Sequence, residues 1–490
     1  MSTSDRPATP GQAPTAEPLD TDAPPRPEAS PDSQTALGKD TKLPLLFSTR
    51  FATSSIAMGV NIVVLAQLTF YATDIVGLPP ALIGGLFLAA KIIDAIADFP
   101  IGFMIDRTKT RLGKARPYEL FIIPMWLLTV AAFSVPEMSQ FWQATYLFVM
   151  FVLITSVCQT YLMTSGAVYL KRSLRGEVRY AKVISRQGML IIFFSAAAAI
   201  LLPQLMATWG TEPGGYTKIA LLYAIPLMII GLVRFFTIKE LPEDKTDHDT
   251  EERLGVRATF RALLSNRYVL IMAAILMLSS IVSAIGAATG TYFFKYILGD
   301  LGLASIGGIT TAIIPLVLIL FPVAVRTIGA MNFARIGLVL AMVGYALVAV
   351  APTNVPLVLV GVTLQIFTAV LVTLASYFLI QTMTYGEWKT GERIDAVTNS
   401  LQGFASQVGQ GVAIATVGII IGAAGYNGLA EVQSPAVKST IIALYSLVPL
   451  VLTGIMLALT YLYKLDRHIP AIQADLAAGV HADTSSIKVV

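Results

Sequence analysis

The chain has 490 residues, 55% of them hydrophobic and 13% charged, with a formal net charge of +4. Soluble domains carry about 25% charged residues, so a water-soluble globule is excluded and hydrocarbon is the solvent that fits. One cysteine, Cys158, inside an apolar run, and three histidines, His248, His468 and His481, in polar segments exclude a disulfide framework and a His/Cys metal cluster. The modest positive balance collects in particular loops, so no nucleic-acid partner is read from it.

Residues 1–42 are rich in Pro, Ser, Thr, Ala and Asp without an apolar run, which reads as a disordered tail and not as a signal peptide. From Leu45 onward, apolar runs of spanning length recur. The expected spans are 46–72, 81–106, 117–135, 142–168, 187–207, 217–237, 268–297, 303–326, 332–351, 355–383, 402–425 and 438–464, each near or above the roughly 20 residues a membrane crossing needs. The loop after the second span holds Arg107, Lys109, Arg111, Lys114 and Arg116, and the loop after the fourth holds Lys171, Arg172, Arg175, Arg179 and Lys182. The segment after the sixth carries Lys239, Lys245, Arg253, Arg257, Arg261 and Arg267, and later even-numbered loops carry Arg326, Arg335, Lys389 and Arg393. Odd-numbered loops carry little basic charge, Lys218 and Lys438 at the starts of the sixth and twelfth spans being the exceptions, and contain Asp74, Glu137, Glu212 and Asp300. The positive-inside rule therefore places both termini in the cytoplasm. The polar segment 238–267 divides the spans into an N-terminal bundle, 43–237, and a C-terminal bundle, 268–465, followed by a cytoplasmic tail, 466–490. Two six-helix halves joined by a cytoplasmic linker are the plan of the major facilitator fold.

The second span contains charges that hydrocarbon penalises: Lys91, Asp94 and Asp98 in the run KIIDAIADFP. Asp94 and Asp98 share a helix face, as i and i+4 do. Two like charges in low dielectric stay ionised together only if a cation neutralises them, which suits a hard monovalent cation or a proton. Lys91 is also close enough to pair with Asp94, and Pro100 frees a backbone carbonyl nearby. Lys295 in TYFFKYILGD reads either as a snorkelling charge at the outer end of the seventh span or as a gate or substrate contact. Asn61, Gln67, Gln159, Thr160, Thr164, Gln365, Ser376, Gln381, Asn399, Gln402 and Gln407 lie within or near spans. They serve either as helix-joining hydrogen-bonders or, as a set, as the wall of a polar cavity.

Three stretches carry a family resemblance. They are FYATDIVGLPPALIGGLFLAAKIIDAIADFPIGFMIDRTKTRLGKARPY, YFFKYILGD and YGEWKTGERIDAVTNSLQGFASQVGQG. Together they resemble the glycoside–pentoside–hexuronide cation symporters, relatives of the melibiose carrier within the major facilitator superfamily, over roughly residues 42–465. The resemblance implies two six-helix bundles, alternating access and import of sugars with Na⁺, Li⁺ or H⁺. It places the coupling cation on Asp94 and Asp98 and the fifth-helix arginine on Arg186. The chain departs from the pattern at the sugar-binding positions. Met58 stands for a first-helix aspartate, Thr164 for a fourth-helix aspartate, Val168 for a tryptophan and Gln407 for an eleventh-helix lysine. Ala97 stands for an asparagine between the paired aspartates, and Gln381 and Thr384 occupy the acidic positions ahead of YGE.

The expected fold is an all-α membrane protein of the major facilitator type with about twelve transmembrane helices in two bundles. The expected function is secondary active transport, a Na⁺- or H⁺-coupled symport of a sugar or related solute, in the cell membrane, by a monomer. Cation binding is expected at Asp94 and Asp98. Substrate binding is expected at Arg186, Thr164, Gln407, Asn61 and Thr160, and gating at Asp106, Arg107, Arg111 and Lys295. The alternatives are a lysolipid-like substrate on the same fold or a non-transporting receptor. No nucleophile–base set or phosphate-binding glycine loop occurs, and the GK of RLGKARP lacks the rest of a P-loop, so neither an enzyme nor a cofactor is expected.

Overall fold

The computed structural model describes residues 45–108, 110–174, 177–240, 266–390, 395–430, 432–478 and 481–482. The described residues are helical apart from turns and one isolated bridge between Thr110 and Gly113. The helices are α1 (Leu45–Ile75), α2 (Pro80–Arg107), α3 (Ile122–Ala132, entered by a 3₁₀ turn Arg116–Phe121) and α4 (Gln140–Ser173). They continue as α5 (Glu177–Trp209), α6 (Gly215–Thr237), α7 (Arg267–Leu298), α8 (Leu301–Thr311) and α9 (Ile314–Thr327). The last are α10 (Ala330–Val350), α11 (Val355–Lys389), α12 (Asp395–Ala423), α13 (Pro435–Leu462) and the short α14 (Ile469–Ala477).

Ten of these are long and apolar enough to cross a membrane. The third and eighth expected spans are occupied by α3 with its 3₁₀ entry and by the α8–α9 pair, which breaks at Ala312–Ile313. Helix starts follow local chemistry. Pro80, Pro356 and Pro435 stand in first turns, where a missing N–H costs nothing, and the Asn266 side chain accepts from the backbone N–H groups of Tyr268 and Val269. In the tail after 465, Ile469 and Ile472 of α14 are buried, and Trp388 Nε1 donates to Asp475 at 3.2 Å.

Within the N-terminal set, α1 packs on α5 and α6, and α2 on α4; within the C-terminal set, α7 packs on α12 and α13, and α10 on α11 and α13. The sets meet where α2 crosses α12 and α5 crosses α8. The α2–α12 crossing depends on small residues, since a Cβ on Gly418 would lie 2.4 Å from the Pro80 carbonyl oxygen. Two charges escaped the sequence reading. Glu119 and Arg234 form a bidentate pair at 2.6 and 2.7 Å, fully buried among α1, α3 and α6, with the guanidinium 4.8 Å from the Phe51 ring centre. At the basic-loop end, Glu240 accepts from the backbone N–H groups of Lys114, Ala115 and Arg116 at 2.7–2.9 Å. Gly113, at φ +119°, allows this cradle, because a Cβ there would lie 2.6 Å from the Glu240 carboxyl.

Candidate functional site

Between the two sets lies a cavity of about 570 Å³. Its wall takes Thr69 from α1, Lys91 from α2, Thr155 and Gln159 from α4, Ser279, Ser280 and Ser283 from α7, Tyr345 from α10, Gln365 and Thr368 from α11, and Ser406 and Gln410 from α12. Amides and hydroxyls thus alternate with apolar side chains such as Phe87 and Phe151. Among the described residues no carboxylate stands in the lining, and Lys91 is the one charged group there. The Gln365 amide nitrogen is buried without a partner, a donor without an acceptor on the wall. The π-helical turn Leu153–Gln159 within α4 rotates Thr155 and Gln159 to this wall, a common use of such bulges.

From the wall, Lys91 Nζ donates to Asp94 Oδ2 at 3.1 Å and to Gln407 Oε1 at 3.2 Å, both behind it. Thr160 Oγ1 reaches Asp94 Oδ1 at 3.5 Å. Four of the residues named from the sequence thus meet, from α2, α4 and α12. Asn61 is fully buried; its amide donates to Thr129 Oγ1 at 2.8 Å and its carbonyl accepts from Gln159 Nε2 at 3.0 Å. Asn61 therefore braces a cavity residue from behind and does not itself line the cavity. Thr164 and Arg186 lie outside the lining; Arg186 Nη1 donates to Ser48 Oγ at 3.2 Å, tying α5 to α1. Arg107 and Arg111 are exposed at the basic-loop end. The side chains of Asp98 and Asp106 lie outside the described residues.

A second charged cluster closes the end opposite the basic loops. Asp74, read above as a loop acid, is buried in a π-helical turn, Tyr71–Ile75, that ends α1. The end of α7 is also π-helical, over Phe294–Leu298. Lys295 Nζ donates to Asp74 Oδ1 at 2.7 Å, and Tyr296 OH donates to the same oxygen at 2.5 Å. Tyr426, beyond α12, donates its hydroxyl to Oδ2. Thr73 Oγ1 also donates to Oδ2, at 3.0 Å, and its hydroxyl lies 2.7 Å from that of Tyr292. The Lys295 ammonium stands 5.0 Å from the Phe70 ring centre and 4.8 Å from that of Tyr296. Asp74 thus joins the N-terminal set to the C-terminal set through three donors. The TD-VGL and YFFKYILGD stretches contained the signal, but pairing across 221 positions is invisible in a linear reading.

Residues 51–467 match the family described as MFS/sugar transport protein. The chain belongs to that family. It is 29% identical over 461 residues to the isoprimeverose transporter of Lactiplantibacillus pentosus, covering 92% of this chain and 95% of that protein. It is 25% identical to a putative glycoside/cation symporter of Escherichia coli, over 84% of this chain and 89% of that protein. Among solved structures, a bacterial homologue of the human lysosomal transporter Spinster, inward-facing and unoccupied, superposes with a TM-score of 0.66 at 16% identity, over 88% of this chain and 99% of that one. This last likeness supports the fold alone. The sugar-transport family membership makes this a multi-pass membrane transporter of the major facilitator fold and not an enzyme.

Proposed function

We propose that this member of the sugar-transport family carries a glycoside or related sugar across the cell membrane together with a cation, by alternating access, as a monomer with both termini in the cytoplasm. The observation that carries the reading is a polar cavity between the two helix sets whose wall lysine, Lys91, pairs with the carboxylate of Asp94 behind it. Amides and hydroxyls both donate and accept, as sugar hydroxyls require, and apolar wall patches suit the C–H faces of a ring. The relatives named as an isoprimeverose transporter and a glycoside/cation symporter support this class of substrate and coupling.

In the proposed cycle, sugar binds at Gln159, Gln365, Gln410 and the serines of α7. The Asp94 region, with Asp98 one turn further along α2, senses the cation. Lys295 and Asp74 form the gate at the acidic-loop end, which faces away from the cytoplasm. Arg107, Arg111 and Asp106 belong to the opposite gate. Cation and sugar raise each other's affinity because both favour the same arrangement of α2, α4 and α12, which is a reciprocal coupling.

The test is uptake of isoprimeverose into proteoliposomes under an imposed ion gradient. Accumulation above the equilibrium level is expected. Equilibration that ignores every imposed gradient would remove the cation coupling, and failure to move isoprimeverose or any neutral or acidic glycoside would remove the sugar reading.

A further inference from the structure

The cavity wall includes a place where α11 loses its helical continuity. Regular α-helix stops at Gln365 and resumes at Thr368. Between them the backbone tightens to i→i+3 bonds: Phe367 N–H donates to the Leu364 carbonyl at 3.2 Å, and Ala369 N–H to that of Ile366 at 2.9 Å. Gln365, Ile366, Thr368 and Ala369 all line the cavity, so the break faces it. Breaks of this kind in carrier helices mark substrate sites near the bilayer midplane. The backbone at Gln365 is clamped to α10. A Cβ on Gly344 would lie 2.9 Å from the Gln365 backbone nitrogen, and a Cβ on Gly361, one turn earlier, 2.8 Å from the Gly344 carbonyl oxygen. Small residues permit such close approach of two helices, and the approach fixes where the Gln365 side chain starts.

Several polar groups of the wall have partners. The hydroxyls of Ser280 and Ser406 lie 2.8 Å apart, and Gln159 Nε2 donates to Asn61. Gln365 Nε2 is buried and donates to nothing among the described residues. An unpaired buried donor lowers stability, and such exceptions concentrate at functional sites. A hydroxyl, ring or glycosidic oxygen of a sugar accepts this bond, and a hydrocarbon chain does not. A site built on a hydrogen bond rejects an analogue that lacks the partner far more strongly than an apolar pocket rejects a missing methylene.

We propose that Gln365 is a specificity-determining residue: its amide N–H completes its bonding on one oxygen of the bound glycoside, and a molecule without an oxygen at that point is refused. The proposal rests on the sugar reading above and assigns discrimination to the break in α11, on the C-terminal set. The empty carrier holds the amide unpaired at a cost in stability, and the sugar removes that cost.

Gln365→Leu removes the donor at similar volume, and Gln365→Met serves where the leucine variant does not fold. The first readout needs no sugar: the thermal midpoint of the purified full-length variant is expected to rise by about 1–3 °C, because an unpaired donor has been removed. The second is uptake of isoprimeverose and of its monodeoxy analogues into proteoliposomes. In the natural chain one analogue is expected to be disfavoured about 30-fold or more in apparent affinity. In the variant the KM for isoprimeverose is expected to rise about 10-fold, and the penalty on that one analogue to shrink to within about 3-fold. Damage that is merely structural would weaken all the sugars alike and leave the penalty in place. That result overturns the proposal, as does a lowered midpoint in the sugar-free variant, which would mean that the amide holds the fold. A natural chain that discriminates against no monodeoxy analogue overturns it without any variant. Failure of the natural chain to move isoprimeverose or any other glycoside removes the sugar reading and this inference with it, whereas transport without discrimination at Gln365 removes the inference alone.

Discussion

Asp74 and Asp94 are both buried carboxylates paired with a lysine, yet they are built in opposite ways. Asp94 takes its ammonium from its own helix, one turn away, at 3.1 Å. Asp74 takes its ammonium from α7, on the other helix set, at 2.7 Å, with tyrosine hydroxyls from α7 and from beyond α12. A pair within one helix travels with that helix and survives any rocking of one set against the other. A pair between sets must break when that end opens. Asp94 is therefore suited to a charge kept through the cycle, and Asp74 to a contact made in one state only.

The sharpest way to set a baseline for both is the Glu119–Arg234 pair, which lies inside the N-terminal set with side chains 0% and 2% exposed. Arg234→Met leaves Glu119 buried and unpaired, and should cost about 3–5 kcal/mol. The expected result is a large fall in thermal midpoint with no change in which side of the membrane reaches the cavity. Altered cavity access without loss of stability would contradict a purely structural pair.

The comparison itself is tested by Asp74→Asn. Lys295 is 37% exposed and can turn towards water, so the loss is smaller than for a fully buried pair. It should appear as a shift between states, with about a 10-fold faster labelling of a cysteine placed at Thr69 by a reagent confined to the acidic-loop side, equivalent to about 1.4 kcal/mol. Cys158→Ser provides the background, since Cys158 is the sole natural cysteine. Unchanged labelling would mean the cluster is not a gate.

A double-mutant cycle on Lys91→Met and Asp94→Asn should return a coupling of about 1–3 kcal/mol, the double variant being more stable than the sum of the singles predicts. A coupling near zero would mean the pair does not hold together in the membrane. The smallest effect is expected from Gln407→Leu, which removes one hydrogen bond to the ammonium but leaves Asp94 in place. A loss of about 1 kcal/mol, with cavity access unchanged, is the outcome consistent with a neutral ligand.

Much of this was legible in the chain. Apolar runs of spanning length, the basic even-numbered loops and the break near 238–267 led to two sets of membrane helices, because hydrocarbon demands internally satisfied backbone over a fixed thickness. The i, i+3 spacing of Lys91 and Asp94 made their pairing readable, since a helix turns 3.6 residues at a time. Gln407 departs from the family pattern, and the fold makes it the partner of a lysine on another helix.

What the sequence determined by itself were the features set by local spacing and by the solvent: the membrane class, most spans and the charge pair on α2. The tertiary structure alone decided that Asp74 is a buried junction and not a loop acid, that Asn61 braces Gln159 from behind the cavity, and that Glu119 finds Arg234. Each of these depends on which helices meet and at what rotation. Rotation in turn depends on π-helical turns and small-residue crossings such as Gly84 against Gly418, where the packed backbones fix which side chains face one another.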